Sequence, residues 1–454
     1  MIAAGIFRQY DIRGIVGKDL TVEAAEAIGR AYAVLLAERG ISGAVAVGRD
    51  NRPSGAALRD ALVKGLTTSG LDVIDVGIVP TPLLYWSLHH LPVIAGIQIT
   101  GSHNPPEYNG FKCCIGHGSL HGEGIQHLYG IIQAGHQRTG AGTVREEAII
   151  DRYVADIAQK IGPLPKDMKV VIDCGNGVGA VAAPQLFKAL GITPTWLFAE
   201  SDGTFPNHHP DPTVVENLQD LIKAVRETGS EVGIGFDGDA DRIGVVDHTG
   251  KMIYGDELMT IFARDVLSKT PGAKVVGDVK CSDRMYHDIA KNGGEPIMWK
   301  TGHSLIKEKI KVEKAPFGGE MSGHIFFADR NYGYDDAPYA GLRLCEILSR
   351  SGKTIPELLA GLPAAFNTPE IRIDTTEEKK VLIVEKVKEQ FSGSKEKGIK
   401  VNLIDGIRIS FEDGWALARA SNTQPVLVVR FESNTAAGLK RIQDKVMSVV
   451  NQYL

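Results

Sequence analysis

Short apolar runs, each ended by a polar turn and followed by a stretch with helical spacing, recur three times along this chain. The first copy reads Ala44-Val-Ala-Val-Gly-Arg-Asp50, a helical pattern from Leu58 to Thr68, then Gly70 and a second apolar run, Leu71-Asp-Val-Ile-Asp-Val76. The second reads Lys169-Val-Val-Ile-Asp-Cys174, a helix from Ala180 to Leu190, Gly191, then Thr193 to Phe198. The third reads Lys274-Val-Val-Gly-Asp-Val-Lys280, a helix from Asp283 to Lys291, Gly293-Gly294, then Pro296 to Trp299. Strand, helix and strand at this spacing form the βαβ unit, which predicts parallel pairing. Copies roughly 100–125 residues apart are too widely spaced for a solenoid and read as three related α/β domains.

After Thr368 the pattern changes. Strand-like runs at Val401 to Leu403, Gly406 to Phe411, Trp415 to Ala418 and Val426 to Phe431 follow closely on one another. They lie between charged helical segments, Glu377 to Gln390 and Thr435 to Tyr453, and Asp405-Gly406 and Asp413-Gly414 are hairpin-type turns. This predicts a smaller α+β domain with an antiparallel sheet. The fold class is therefore α/β, with mixed or parallel sheets in the first three domains and α+β in the last. Glycine- and serine-bearing stretches near 140–143 and 361–368 suggest divisions at 1–145, 146–250, 251–367 and 368–454.

Length agrees, since 454 residues exceed what one core supports. With 43% hydrophobic and 23% charged residues, the composition is that of an ordinary globular protein. A formal net charge of −5 offers no general attraction for nucleic acid or an anionic membrane surface, so an anionic substrate needs a local cationic cluster. Five cysteines, an odd count with no CxxC pair, point to reduced thiols and a cytoplasmic setting rather than disulfides or a zinc ribbon. The N-terminal stretch lacks the apolar run of a secretory signal. Residues 77–106 carry no Asp, Glu, Lys or Arg, but Pro80, Pro82, Pro92, His89 and His90 interrupt them, so buried strands and a loop are expected rather than a membrane span.

Candidate chemistry sits in the polar turns. Thr100-Gly-Ser102-His103-Asn104-Pro105 places a hydroxyl, an imidazole and an amide in a loop after an apolar run, as a phosphoryl-accepting serine requires. Asp237-Gly-Asp239-Ala-Asp241-Arg242 brings three hard oxygen ligands together, which suits Mg²⁺, with a guanidinium suited to a phosphate. Alternation along an extended segment would put the three acids on one side. An EF-hand loop fails, because Arg242 and His248 stand where glycine and glutamate are needed. Tyr10 and Arg13 lie near the N-terminus, and Lys112 follows the serine loop as a candidate proton shuttle. Gly318-Gly-Glu320-Met-Ser322-Gly-His324 offers a carboxylate and a hydroxyl for vicinal sugar hydroxyls. Lys300-Thr-Gly-His303 is a second polar loop, and Arg419-Ala-Ser421-Asn422-Thr423-Gln-Pro425 suits a phosphate dianion. Gly175-Asn-Gly177-Val-Gly-Ala180, with Glu200 downstream, matches a dinucleotide fingerprint. The same unit occurs twice more without those glycines, so a tight turn is the simpler reading.

Taken in order, the serine loop, the Asp-Gly-Asp-x-Asp-Arg loop, the Gly-Glu-x-Ser-Gly-His loop and the Arg-x-Ser-Asn-Thr loop resemble the α-D-phosphohexomutase family, in its bacterial phosphomannomutase/phosphoglucomutase branch. The resemblance covers essentially the whole chain. It implies four domains around a central cleft, the fourth similar to the TATA-binding-protein fold. It implies that Ser102 is a phosphoserine with His103 beside it, that Asp237, Asp239 and Asp241 bind Mg²⁺ with Ser102 contributing a further ligand through its phosphoryl group, and that Glu320 and Ser322 hold sugar hydroxyls. Arg419, Ser421, Asn422 and Thr423 would hold the distal phosphate, and Tyr10, Arg13, Lys112, Arg242, Lys280, His303 and His324 would line the cleft. Lys112 and His303 are equal candidates for the general base. The implied reaction converts hexose 1-phosphate to hexose 6-phosphate through a 1,6-bisphosphate of glucose or mannose, which also serves as activator. Met321 resembles members acting on mannose and glucose phosphates, whereas glutamine is commoner there in phosphoglucosamine mutases. A metal-dependent sugar phosphatase is the rival enzyme and a non-catalytic phosphosugar-binding protein the rival class. The expected partner is a small phosphosugar, not nucleic acid or membrane, acted on by a monomer or homodimer.

Overall fold

The computed structural model describes residues 2–394, 396, 398–422 and 424–454. Each of the three recurring units forms the centre of its own sheet. In the first, Ala44–Arg49 lies parallel between Val73–Ile78 and Val93–Ile99, and Val93–Ile99 then pairs antiparallel with Tyr108–Ile115. In the second, Val170–Asp173 lies parallel between Thr195–Leu197 and Val232–Phe236, and the latter pairs antiparallel with Ile243–Asp247. In the third, Lys274–Asp278 lies parallel between Glu295–Trp299 and Phe317–Gly319, which pairs antiparallel with Ile325–Phe327. The sheets are thus mixed, each centred on a parallel trio with a reversed neighbour; the first adds Val144–Glu146 parallel to Val73–Ile78 and both Ile12–Ile15 and Gly118–Ser119 on Tyr108–Ile115, and the second adds Met252–Ile253 on Ile243–Asp247. The reversal needs only a tight turn, whereas every parallel link needs a crossover.

That turn carries the candidate residues. Residues 100–107, 237–242 and 320–324 are the three reversals, each leaving the carboxyl end of the last parallel strand. Ligands in open α/β sheets gather at such ends, because the loops there are free of the ladder.

The fourth unit is antiparallel through Lys400–Asn402, Ile407–Phe411, Gly414–Ala420 and Val426–Ser433, with helices Glu377–Phe391 and Ala436–Val450 on it. Its core is separate, built on Ile383, Val387, Ile409, Val429 and Val446. The first three units also keep clusters of their own, but one larger buried cluster runs through all three and includes helix Thr81–His90 and helix Ala337–Ser351.

Two local expectations are corrected. The uncharged stretch 77–106 contains helix Thr81–His90 as well as a strand, and residues 81–88 are all buried. A short helix buried on every side has no polar face, so periodicity cannot separate it from a strand. The second unit's helix divides into a 3₁₀ turn, Val178–Val181, and an α-helix, Ala183–Ala189. No helix among the described residues is long and apolar enough to cross a membrane, and all five cysteines are buried free thiols.

Candidate active site

Ser102 is buried and held at φ 51°, a left-handed conformation that a serine adopts only under constraint. Its N–H donates to Thr100 Oγ1 at 2.8 Å. The main restraint is Arg52, which no side chain of the loop announces. Its guanidinium donates to the carbonyls of Ser102 (2.7 Å), Asn104 (2.5 Å), Pro105 (2.5 Å) and Tyr108 (3.0 Å). Its Nε donates to Asp50 Oδ2 at 3.1 Å, and that oxygen also accepts from the Gly101 N–H at 3.1 Å. Gly101 is required here, since a Cβ would stand 2.5 Å from the Arg52 Cζ.

The loop is pressed onto the acidic turn. Ser102 Oγ lies 3.1 Å from Asp237 Oδ2 and 3.2 Å from His103 Nδ1. Gly238 lets the two backbones meet, because a Cβ there would come within 2.4 Å of the Ser102 carbonyl oxygen. Burial, then the charges of Arg242 and Arg13, push the His103 imidazole well below its ordinary value, so the ring is neutral.

Asp237, Asp239 and Asp241 are fully buried and their oxygens lie within 4.8 Å of one another. The expected extended segment is corrected: residues 237–241 form a tight turn with Ala240 at φ 58°. It is closed by Asp237 Oδ1 accepting the N–H groups of Asp241 and Arg242, each at 3.1 Å. The acids therefore converge by turning rather than by alternation. Lys112 bridges them, donating to Asp239 Oδ2 at 2.8 Å and to Asp241 Oδ2. Thr81, at the start of its helix, donates to Asp239 Oδ2 at 2.5 Å.

Burial alone would push Asp239 up, but Lys112 and Thr81 outweigh it and hold the carboxyl low. Burial with its two acidic neighbours pushes Asp237 well above the usual range, outweighing the charges of Arg242 and Lys112. Lys112 is raised, since Asp239 and Asp241 outweigh the cost of burying its charge. Asp239 Oδ1 and Asp241 Oδ1 are buried without hydrogen-bond partners. Three crowded carboxylates with two orphaned oxygens fit a hard divalent cation.

Opposite lies the 320–324 turn. Gly323 has φ 87°, and a Cβ would stand 2.4 Å from the Ile243 carbonyl, so this turn packs on the strand after the acids. Glu320 is buried, accepts the Gly302 N–H, and is pushed upward by desolvation. Ser322 is half-buried beside it. His324 Nε2 accepts from Arg242 Nε at 2.9 Å, and its Nδ1 lies 2.9 Å from Asp335 Oδ2. His303 stacks on His324 with centroids 5.3 Å apart, and burial with the Lys307 charge pushes it well below its ordinary value.

The fourth unit closes the cleft. Tyr10 donates to the Thr301 carbonyl at 2.6 Å and accepts from Asn422 Nδ2 at 2.6 Å, tying the first, third and fourth units together. Burial pushes its phenol up to about 12. Arg419 Nε donates to Asp405 Oδ2 at 3.0 Å, and Ser421 is buried beside it, its carbonyl accepting from Lys380 at 2.6 Å. Lys280 reaches Glu370 at 3.1 Å. Arg13 donates to Asn104 Oδ1 at 2.8 Å, joining the serine loop. Thr423, also expected in this group, lies outside the described residues.

The fold therefore brings Tyr10, Arg13, Ser102, His103, Lys112, the three acids, Arg242, Lys280, His303, Glu320, Ser322, His324, Arg419, Ser421 and Asn422 to one cleft. Arg13, Lys112, Arg242, Lys280 and Arg419 are the cations gathered there, and Arg13, Lys112, Lys280 and Arg419 each also face a carboxylate. Sequence reasoning missed Arg52, Asp50, Thr81, Asp335 and Asp405. For Arg52 and Asp50 a signal existed: they form the polar turn at the carboxyl end of the first recurring strand. The glycines of 175–180 have a packing role. Gly177 would bring a Cβ within 2.8 Å of the Gly238 carbonyl, which accepts from the Val178 N–H at 2.9 Å, so this turn supports the acidic one from below.

Known proteins match this chain along its length. Family models described as phosphoglucomutase/phosphomannomutase, alpha/beta/alpha domains I, II and III, match residues 4–139, 151–250 and 254–366. The model of the phosphoglucomutase/phosphomannomutase C-terminal domain matches residues 370–449. A phosphomannomutase/phosphoglucomutase of Pseudomonas putida is 48% identical over 439 residues, covering 97% of this chain and 94% of the relative. A phosphoglucomutase of Neisseria meningitidis serogroup A is 48% identical over 454 residues, covering 99% and 97%. The crystal structure of a phosphoglucomutase/phosphomannomutase family protein from Burkholderia thailandensis superposes with a TM-score of 0.93 at 45% identity, covering 100% of this chain and 98% of that one. The open form of a Paramecium phosphoglucomutase, parafusin, shares the fold at 18% identity, with a TM-score of 0.82 over 99% and 95% of the chains.

Proposed function

The chain belongs to the phosphoglucomutase/phosphomannomutase family, the α-D-phosphohexomutases, and from that premise we propose that it interconverts the 1- and 6-phosphates of mannose and glucose. It is an enzyme of intramolecular phosphoryl transfer. The observation that carries the reading is the contact of Ser102 Oγ with the acidic turn, 3.1 Å from Asp237 Oδ2, inside a cleft whose far side offers a second cationic pocket at Arg419. A hydrolase has no use for that second pocket.

In this reading phosphorylated Ser102 gives its phosphoryl group to the free hydroxyl of a bound hexose monophosphate. The P–Oγ bond breaks, a P–O bond to the sugar forms, and the hydroxyl proton passes to a base in the cleft. The resulting 1,6-bisphosphate turns over and its other phosphoryl group returns to Ser102. Arg419, Ser421, Asn422 and Thr423 hold the non-reacting phosphate in both orientations, while Glu320 and Ser322 hold sugar hydroxyls. Tyr10, Arg13 and Lys280 line the path between the two ends. His103, neutral beside Ser102 Oγ, steadies the nucleophile.

The two proton-transfer candidates differ in charge. Lys112 is held as an ammonium by Asp239 and Asp241, which suits an acid, whereas buried His303 is neutral, which suits a base. Asp237, Asp239 and Asp241, with an oxygen of the phosphorylated Ser102, would hold Mg²⁺. Bound there, the cation supplies positive charge to the transferring phosphoryl group. Arg242 adds a guanidinium on the same side. Glucose or mannose 1,6-bisphosphate would phosphorylate Ser102 and so act as activator. A single chain contains the whole arrangement, which fits a monomer or homodimer acting on a small phosphosugar; the free thiols fit the cytoplasm, and the net charge of −5 offers nothing general to nucleic acid or an anionic membrane.

The test compares glucose 6-phosphate formation with inorganic phosphate release from glucose 1-phosphate plus its bisphosphate. Stoichiometric glucose 6-phosphate supports the mutase, and predominant free phosphate sinks it. Repeating the assay with mannose and glucosamine 1-phosphates ranks the sugars.

A further inference from the structure

Asp335 is a fully buried carboxylate that both cleft histidines face. Its Oδ2 lies 2.9 Å from His324 Nδ1 and 3.8 Å from His303 Nδ1, and its Oδ1 accepts from Lys307 Nζ at 3.0 Å. Lys307 is itself pinned, its ammonium 3.8 Å from the centroid of the Tyr85 ring. On the far side of the imidazole, His324 Nε2 accepts from Arg242 Nε at 2.9 Å.

The donors and acceptors decide the tautomer. An arginine Nε–H is only a donor, so His324 Nε2 presents its lone pair, and the ring proton of the neutral imidazole sits on Nδ1, facing Asp335. Asp241, His324 and Asp335 also lie close enough together to resemble a second cation site. In this tautomer the histidine has no free lone pair for a metal, so the trio is a run of close polar contacts around one imidazole rather than a cation site.

We infer that Asp335 is a positioning residue for phosphoryl transfer: it orients His324, which in turn fixes the Arg242 guanidinium. Among the described residues the guanidinium's side-chain hydrogen bond is to His324 alone, through Nε. Its two terminal nitrogens remain for the phosphoryl oxygens, and their direction is set by how the Nε is held. Asp335 touches neither substrate nor Ser102, and acts through a chain of two side chains. This rests on the mutase reading for its consequence, but not for its geometry.

The test joins ¹⁵N NMR of histidine-labelled protein with kinetics of Asp335→Asn. In the wild-type protein His324, assigned from the signal lost in His324→Asn, is expected to show a protonated Nδ1 and an unprotonated Nε2. In Asp335→Asn, whose amide can either accept or donate, the tautomers should mix. Then kcat should fall about 10–100-fold, taking as the scale the loss of a partner that orients a metal-bound histidine, while KM for glucose 1-phosphate stays within about threefold. A protonated Nε2 on wild-type His324 overturns the inference whether or not the variant folds. So does wild-type kcat in Asp335→Asn, or a loss of kcat with the tautomer unchanged and only the melting temperature lowered. If wild-type protein instead makes no glucose 6-phosphate while the tautomer is as expected, the mutase reading fails and the chain of contacts stands.

Discussion

Replacing Arg52 with methionine keeps most of the side-chain volume and removes five N–H donors from a guanidinium that is buried completely. Four of those donors face carbonyl oxygens of residues 102–108, and the fifth faces Asp50, which is 1% exposed. A buried acceptor left unpaired costs about 1–3 kcal/mol, and a buried ion pair that loses one partner costs about 3–5 kcal/mol. Adding these overstates the loss, for two reasons. Burial already pushes the Asp50 carboxyl upward, against the pull of Arg52, so without that pull it takes a proton and sheds its charge. The loop, moreover, opens to water rather than keeping its carbonyls dry. A loss of about 4 kcal/mol is expected, equivalent to roughly a 10 °C lower Tm for a domain of this size.

The lysine variant separates stability from chemistry. Arg52→Lys keeps a cation opposite Asp50 but cannot spread across four carbonyls in a plane. Most of the lost stability should return. Ser102, freed from its φ of 51°, should relax and carry Oγ away from Asp237. A displacement of about 1 Å at a reacting atom is worth about 10²-fold in rate. Calorimetry and the glucose 6-phosphate assay on both variants read the two effects. Wild-type kcat in Arg52→Lys would refute the argument that the planar guanidinium holds the nucleophile. An unchanged Tm in Arg52→Met would refute the energetic part.

Other outcomes follow from single contacts. Gly238→Ala should lower kcat by about 10²-fold, because its Cβ would stand 2.4 Å from the Ser102 carbonyl and must push the two loops apart; normal turnover would show that the loops need not touch. Chelation should stop turnover and added Mg²⁺ restore it, and Asp239→Ala should remove turnover by a factor of about 10³ or more while sugar-phosphate binding, followed by calorimetry, changes little. Undiminished turnover in chelator-treated protein would count against a metal at the three acids. Asp336 gives a pH dependence of stability. Burial pushes its carboxyl from the ordinary 3.8 up to about 7, against hydrogen bonds from the Tyr339 N–H and the Tyr153 hydroxyl. The folded chain then holds the proton more tightly, so this stability is complete below about pH 4 and lost as pH rises to about 7, some 4 kcal/mol in all. Asp336→Asn should remove that fall, and equal falls in both proteins between pH 4 and 8 would assign it elsewhere.

What could be read from the sequence follows how local each contact is. Asp237, Asp239 and Asp241 lie within one turn, so their convergence was legible even though they curl rather than extend. The recurring strands were legible because burial leaves an apolar run, and the Ser102 and Glu320 loops because glycine marks a close approach. Asp335 pairs with His324 and Lys307 through the fold of the third unit, and Thr81 meets Asp239 from a helix with no polar face to announce it. Spacing along the chain carries no trace of such pairings.

Arg52 is the instructive case. The three turns that carry the candidate site leave the carboxyl ends of parallel strands, and Asp50 and Arg52 leave the carboxyl end of Ala44–Arg49, which pairs with the strand leading into the Ser102 loop. The repeat therefore places this arginine at the same edge as the serine loop. Its target stays hidden, because it binds backbone carbonyls, which every residue carries and no sequence distinguishes. A charged residue at such an edge is thus ambiguous between holding substrate and holding the loop that holds substrate. Donor satisfaction separates the two: among the described residues the Arg242 guanidinium makes one side-chain hydrogen bond, through Nε, whereas all five Arg52 donors are held by the protein.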